Sequence, residues 1–213
     1  MSILPTLKYY YRLYFFDEVR LLRRETKGYA SVLDVGCGYN SLLQYCSVPQ
    51  SVGVEIFPDY IAQSRAKGIH GHYICADIMT VEIPPKSFDV VYCSEVIEHL
   101  TRADGEVLLK KMTDWARYKV IVVTPNGFVA QDAYHANEHQ KHLSGWITED
   151  FRATGFSVYG INGVRHLRWK PLGKYPAFAT LYLQVVFLVT KFVNFLPRMA
   201  FQLFAVKKLN RHV

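Results

Sequence analysis

The stretch Val32-Leu33-Asp34-Val35-Gly36-Cys37-Gly38-Tyr39-Asn40 constrains the fold more than any other part of the chain. It runs apolar, meets an acidic residue, and then turns twice to glycine. Glycines in that spacing permit a tight turn out of a strand and let a ligand approach backbone that side chains would otherwise shield. The next apolar run ends at Glu55, about 20 residues beyond the first glycine, where a carboxylate can accept hydrogen bonds from the hydroxyls of a ribose.

Periodicity places the remaining elements. Short β-branched runs at Ser31 to Val35, Ser51 to Ile56, Tyr73 to Ala76, Phe88 to Ser94 and Lys119 to Thr124 read as strands. Tyr39 to Cys46, Pro58 to Lys67, Ala103 to Arg117 and Thr148 to Thr154 read as helices, with Pro58 suited to a first helical turn and Glu149-Asp150 to a helix N-terminus. Gly155 to Ile161 reads as a sixth strand. This alternation predicts an α/β fold, a mostly parallel sheet with helices on both faces. With 213 residues, 50% of them hydrophobic, the economical expectation is a single domain, 1–213. No internal repeat or low-complexity linker interrupts it.

Two compositional features narrow the setting. The four cysteines, Cys37, Cys46, Cys75 and Cys93, include no C-x-x-C pair, and three lie in or beside expected strands, which favours free thiols and a cytoplasmic location. Lys8 and Arg12 interrupt the apolar N-terminus and no small-residue cleavage site follows, which argues against a signal peptide. The net charge of +7 belongs to the last part of the chain: beyond Asp150 there is no Asp or Glu, and ten residues are Lys or Arg. Such a tail prefers anionic surfaces.

A dinucleotide enzyme would share the glycine turn and the acid after it, so the later motifs decide. Ser41 stands where G-x-G-x-x-G has its third glycine. Asp77 closes the third strand in Cys75-Ala76-Asp77-Ile78, and Phe88-Asp89-Val90-Val91 leads into Ser94-Glu95-Val96-Ile97-Glu98-His99-Leu100. With these motifs in this order over roughly residues 31 to 125, the chain resembles the class I S-adenosylmethionine-dependent methyltransferases. The resemblance implies a Rossmann-like, seven-stranded sheet whose last strand, Ala200 to Lys207, is antiparallel, and it implies S-adenosyl-L-methionine as cofactor. It places Gly36 and Gly38 along the methionine part, Asp34 at the loop or the cofactor's amino group, Glu55 at the ribose, Asp77 and the Ile78 backbone at the adenine, and Ser94 with Glu95 beside the sulfonium. Asn40 replaces a third glycine common in the family, and asparagine tolerates left-handed backbone angles.

A sulfonium methyl is already electrophilic, so the protein must align the acceptor and, for a hydroxyl, remove a proton. Candidate bases are His135, His139 and His142, in a loop leaving the carboxyl end of the fifth strand; His142, just before Leu143-Ser144-Gly145-Trp146, is preferred by the resemblance. Glu95-x-x-Glu98-His99 resembles the motif that holds a divalent ion in ubiquinone-pathway O-methyltransferases and small-RNA terminal methyltransferases. The same motif is frequent in relatives without metal, and the expectation here is none, with Glu95, Glu98 and His99 as the candidates if one binds.

The acceptor is read from the two ends. Residues 1–28 are expected to form an aromatic helical cap, with Tyr9, Tyr10, Tyr11, Tyr14, Phe15 and Phe16 and with Lys8 and Arg12 among them, and 175–198 an apolar insertion between the last two strands. Aromatic, apolar and basic residues together suit a headgroup interface. The expected function is O-methylation of a small or lipid-linked acceptor, such as a quinone precursor, glycan or glycolipid, by a peripheral membrane enzyme. Two alternatives stand beside it, an RNA methyltransferase and a non-catalytic, membrane-recruited cofactor-binding scaffold. RNA is disfavoured because no separate RNA-binding module is evident.

Overall fold

The computed structural model describes residues 17–132, 138–165 and 192–209. The expectations for the aromatic segment before Asp17, for His135 and for most of the 175–198 insertion lie outside the described residues.

Seven strands, β1 (Ser31–Val35), β2 (Gln50–Glu55), β3 (His72–Cys75), β4 (Phe88–Ser94), β5 (Ala116–Pro125), β6 (Ser157–Val164) and β7 (Ala200–Lys208), form one sheet in the order β3-β2-β1-β4-β5-β7-β6. β7 alone runs antiparallel, pairing β5 on one side and β6 on the other, as the resemblance implied. Among the described residues four α-helices accompany it, α1 (Asp17–Thr26), α2 (Pro58–Ala66), α3 (Arg102–Trp115) and α4 (Thr148–Ala153).

Strand alternation builds a core on each face. Leu33, Val91, Cys93, Val120 and Val122 point to one side, against Leu108 and Met112 of α3 and against Trp146 and Phe151. Val32, Val90, Tyr92, Ile121 and Val123 point to the other, against Leu21 and Leu22 of α1. Both faces are therefore dry, which is why the central strands read as unbroken apolar runs rather than alternating ones.

α1 is held by charge as well as packing. Lys119 on β5, 9% exposed, donates to the Glu25 carboxylate at 2.8 Å and to its carbonyl at 3.0 Å. β1 is fixed to β4 by Asp89, whose carboxylate accepts from the Ala30 and Ser31 N–H groups while the Ser31 hydroxyl accepts from the Asp89 N–H.

One helix expectation fails. Tyr39 to Cys46 contains no α-helix, only a four-residue 3₁₀ turn, Leu42–Tyr45. The Ser41 hydroxyl caps that turn on the Leu43 N–H, Cys46 is already extended, and Val48 precedes Pro49, which disfavours the helical region for it. The glycine turn is therefore followed by a loop held by side chains.

Gly105 in α3 shows how closely the helix packs on the core. A Cβ there would lie 2.4 Å from Cζ2 of Trp146 and 3.1 Å from Cγ1 of Ile97. Alanine is the better helix former by about 1 kcal/mol, whereas overpacking a core costs about 1–3 kcal/mol. Gly105→Ala is expected to lose about 1–2 kcal/mol in urea unfolding; a gain in stability would mean that Trp146 yields freely.

Candidate active site

The strand order reverses between β1 and β4, and open α/β sheets place ligands outside the carboxyl ends of their strands at such a point. A cleft of ≈ 840 Å³ lies there. Asp34, Gly36 and Gly38 reach it from the end of β1, Glu55 from β2, Asp77 and Ile78 from the turn after β3, and Ser94 and Glu95 from β4. Every residue expected to bind cofactor thus lines this one cleft.

The loop after β1 is built from the backbone outward. The Gly36 and Cys37 N–H groups donate to the Val54 carbonyl at 2.9 and 3.0 Å, and Gly36 and Gly38 adopt φ of 70° and 56°. The two glycines have different reasons. A Cβ on Gly36 would lie 2.4 Å from a Val96 methyl carbon, so its bareness serves the packing of the loop on the residue after Glu95; a Cβ on Gly38 would meet nothing within 4 Å. Asp34, 2% exposed, accepts from the Ser41 hydroxyl, and His70 Nε2 lies 3.3 Å from its Oδ2, outside hydrogen-bonding geometry. Lys67 ties down the far side through the Tyr39 carbonyl and the Asn40 amide oxygen.

Glu55 is the central acceptor. Its Oε1 takes the N–H groups of Ile56 and Phe57 at 2.9 and 3.0 Å, and its Oε2 takes that of Gly38 at 2.9 Å. A carboxylate offers about four lone-pair positions, which leaves one on Oε2 for a ligand hydroxyl. Asp77 Oδ1 accepts from the Met79 N–H at 2.8 Å, shaping the turn after β3.

Glu95 follows β4 with φ of 54°, a left-handed conformation in a side chain that rarely adopts it. Such strain concentrates at functional sites. Its Oε1 accepts from Gln202 of β7 at 2.7 Å, so it stands apart from Glu98 and His99.

Glu98 and His99 have a different companion, His142. One donor atom from each of the three lies within 4.8 Å of the others. His99 Nδ1 is 3.2 Å from the Lys141 carbonyl and His142 Nδ1 is 2.6 Å from the Val129 carbonyl. Carbonyls only accept, so both Nδ1 atoms carry the proton and both Nε2 lone pairs remain available, the arrangement that orients imidazoles as metal ligands or bases. Glu98, 2% exposed, has Thr124 on Oε2 and nothing on Oε1, and burial pushes its carboxyl up to about 7. Burial also lowers the His99 pKa.

The three histidines expected as bases separate. His142 is buried behind His99 and is not part of the cleft wall; His139 is on the wall, its ring 5.6 Å from Phe57; His135 lies outside the described residues. His99, expected only as a metal candidate, lines the cleft itself. Sequence reading also missed Glu18 of α1, whose carboxyl reaches the cleft and accepts from Tyr92 at 3.2 Å and Ser94 at 3.0 Å.

Comparison with known proteins agrees with this geometry. Residues 33–124 match a sequence family described as a methyltransferase domain. An uncharacterized protein of Methanocaldococcus jannaschii is 24% identical over 156 residues, 71% of this chain and 67% of that one. An uncharacterized methyltransferase of Mycobacterium tuberculosis is 28% identical over 127 residues, 56% of this chain; the alignment spans 60% of that relative's length. Among solved structures, a SAM-dependent methyltransferase from Archaeoglobus fulgidus superposes with a TM-score of 0.57 at 18% identity, over 95% of this chain and 99% of that one.

Proposed function

We propose that the class I S-adenosylmethionine-dependent methyltransferase domain carried by residues 33–124 O-methylates a small or lipid-linked acceptor, a quinone precursor, glycan or glycolipid, near a membrane surface. The observation that carries the oxygen acceptor is His99 on the cleft wall with Glu98 and His142 grouped behind it, because a hydroxyl must lose a proton to accept a methyl group and His99 can take it.

S-adenosylmethionine supplies the electrophilic methyl group on its sulfonium. The chain's part is to hold and align. In this reading the free position on Glu55 Oε2 accepts a ribose hydroxyl, Asp77 and the Ile78 backbone meet the adenine, Gly36 and Gly38 border the methionine part, and Ser94 and Glu95 lie beside the sulfonium. The wall suits a cationic occupant: Glu18, Asp34, Glu55, Asp77 and Glu95 line it, and no Lys or Arg among the described residues does.

His99 acts on the acceptor in one of two ways. As a base it takes the hydroxyl proton on Nε2, with His142 packed edge-on behind it at 4.7 Å between ring centroids. The second reading is favoured by the orphaned Glu98 Oε1: a buried carboxylate oxygen with no partner, beside two imidazoles presenting Nε2, fits a divalent ion that would acidify the acceptor hydroxyl. Glu98, His99 and His142 would hold it, and Glu95, engaged by Gln202, would not.

The membrane side rests on the end of the insertion. Phe192, Phe195, Leu196 and Met199 are exposed, Phe195 to 83%, next to an exposed Arg198. Among the described residues no helix is long and apolar enough to cross a membrane, so contact in this reading is at the surface.

Protein incubated with methyl-labelled cofactor and cell extract is expected to place label in an organic-phase product. His99→Ala should lower turnover about 100-fold or more. Chelation should do the same under the metal reading, and full activity in chelator would end that reading. Label in RNA would establish the RNA alternative, and cofactor binding without any labelled product would favour the scaffold.

Sedimentation with vesicles tests the surface separately. Wild type should bind vesicles containing anionic lipid, and Phe192→Ser with Phe195→Ser should release it without changing the unfolding midpoint, since both side chains are exposed. Wild type that ignores such vesicles would make a water-soluble acceptor the better assignment.

A further inference from the structure

Glu18 is an acid in an apolar stripe. The buried residues of α1, Glu18, Val19, Leu21, Leu22, Glu25 and Thr26, follow the helical repeat that faces the core. Glu25 has Lys119 as its ion-pair partner. Glu18 has no cationic partner among the described residues; its contacts are two neutral hydroxyls of β4, Tyr92 and Ser94, and both fall on Oε1. A buried carboxylate without a cation is costly. Burial raises its pKa, and a second buried acid, Asp34, lies close enough to Tyr92 that both carboxylates raise the phenol's pKa beyond the effect of burial.

Its place along the sheet says which end of a bound ligand it meets. Reading across β3, β2, β1 and β4, the cleft presents Asp77, then Glu55, then the glycine loop, then Ser94 with Glu18 upon it. Glu55 and Ser94 stand two strands apart, about 10 Å. With the adenosine over β3 and β2, the amino-acid end of the ligand falls by β1 and β4.

We propose that Glu18 receives the α-ammonium group at the methionine end of the cofactor, through the carboxylate oxygen that Tyr92 and Ser94 leave open. The assignment rests on the cleft being the cofactor site. An ammonium fits better than the sulfonium because it brings N–H donors, which the oxygen that Tyr92 and Ser94 leave open can accept and a sulfonium cannot offer. Tyr92 and Ser94 then act as positioning residues that hold the carboxyl toward the cleft. The cofactor's charged end would thus be bound by α1, an element outside the sheet, so that docking of this helix and cofactor affinity become linked.

The test compares ligands that differ at this end. Calorimetry with S-adenosylhomocysteine, S-adenosylmethionine and 5′-methylthioadenosine, which lacks the amino-acid end, is run on wild type and Glu18→Gln. Glu18→Gln should weaken the first two alike, by about 10- to 100-fold, and leave methylthioadenosine unchanged. Equal loss for all three, or no loss for any, would overturn the proposal; loss for S-adenosylmethionine alone would move the contact to the sulfonium and also overturn it. A ligand-side arm uses wild type only. S-adenosylhomocysteine should bind at least about tenfold more tightly than its des-amino analogue, and equal affinity would refute the ammonium contact without reference to any variant. If wild type binds none of these ligands, the cofactor reading itself fails, which is a separate outcome.

Discussion

Three backbone N–H groups converge on one carboxylate, and the site depends on that convergence. Glu55 takes the N–H groups of Ile56 and Phe57 at the end of its own strand and that of Gly38 from the loop after β1. Hydrogen bonds to an ionised acceptor are stronger than neutral ones, so the link fixes the glycine loop to β2 where no ladder bond could. Because Gly36 and Cys37 also donate to Val54, the turn is fastened at consecutive points and its two left-handed glycines are held open to the cleft. The acid thus builds the wall first and has one acceptor position left for a ligand.

Charge then sorts what can enter. Five carboxylates and no Lys or Arg among the described residues line the cleft, although the chain as a whole carries +7. The basic excess lies beyond Asp150, away from these strand ends in sequence, and Arg198 from that part of the chain stands beside exposed aromatic residues. Under the proposed function, a cationic, nucleoside-bearing ligand would enter inside and an anionic, apolar surface would be met outside. His99 stands between them: it lines the cleft, while its Nδ1 is held by the loop that also carries His142.

Much of this was legible in the sequence because it depends on local pattern. β1 and β4 fall where their β-branched runs predicted, Glu55 was placed by its spacing from the glycine turn, and Asp34 and Asp77 by the motifs of the family the chain resembles. What failed depended on partners distant in sequence. The segment after Gly38 has a helix-like apolar pattern, yet Ser41 bonds Asp34 and Pro49 closes the loop, so only one 3₁₀ turn forms. Glu18 carried no signal in the sequence, because the residues that bond it, Tyr92 and Ser94, lie 74 and 76 residues away. Glu95, Glu98 and His99 looked like one set, but the left-handed turn at Glu95 sends it toward Gln202, and His142 takes its place beside Glu98. The glycine at 36, expected beside a ligand, does line the cleft, and its missing Cβ also leaves room for Val96, which the sequence did not show.

The central claim is that Glu55 both builds the loop and binds the cofactor's ribose, and removing Glu55 would confuse the two roles. Changing the ligand separates them. Calorimetry on wild-type protein should show the 2′,3′-dideoxy analogue of S-adenosylhomocysteine binding about 10- to 100-fold more weakly than S-adenosylhomocysteine itself, the loss expected for one hydrogen bond to a charged acceptor. Equal affinity for the two would contradict the account, leaving Glu55 a purely structural acid and the ribose without its assigned partner.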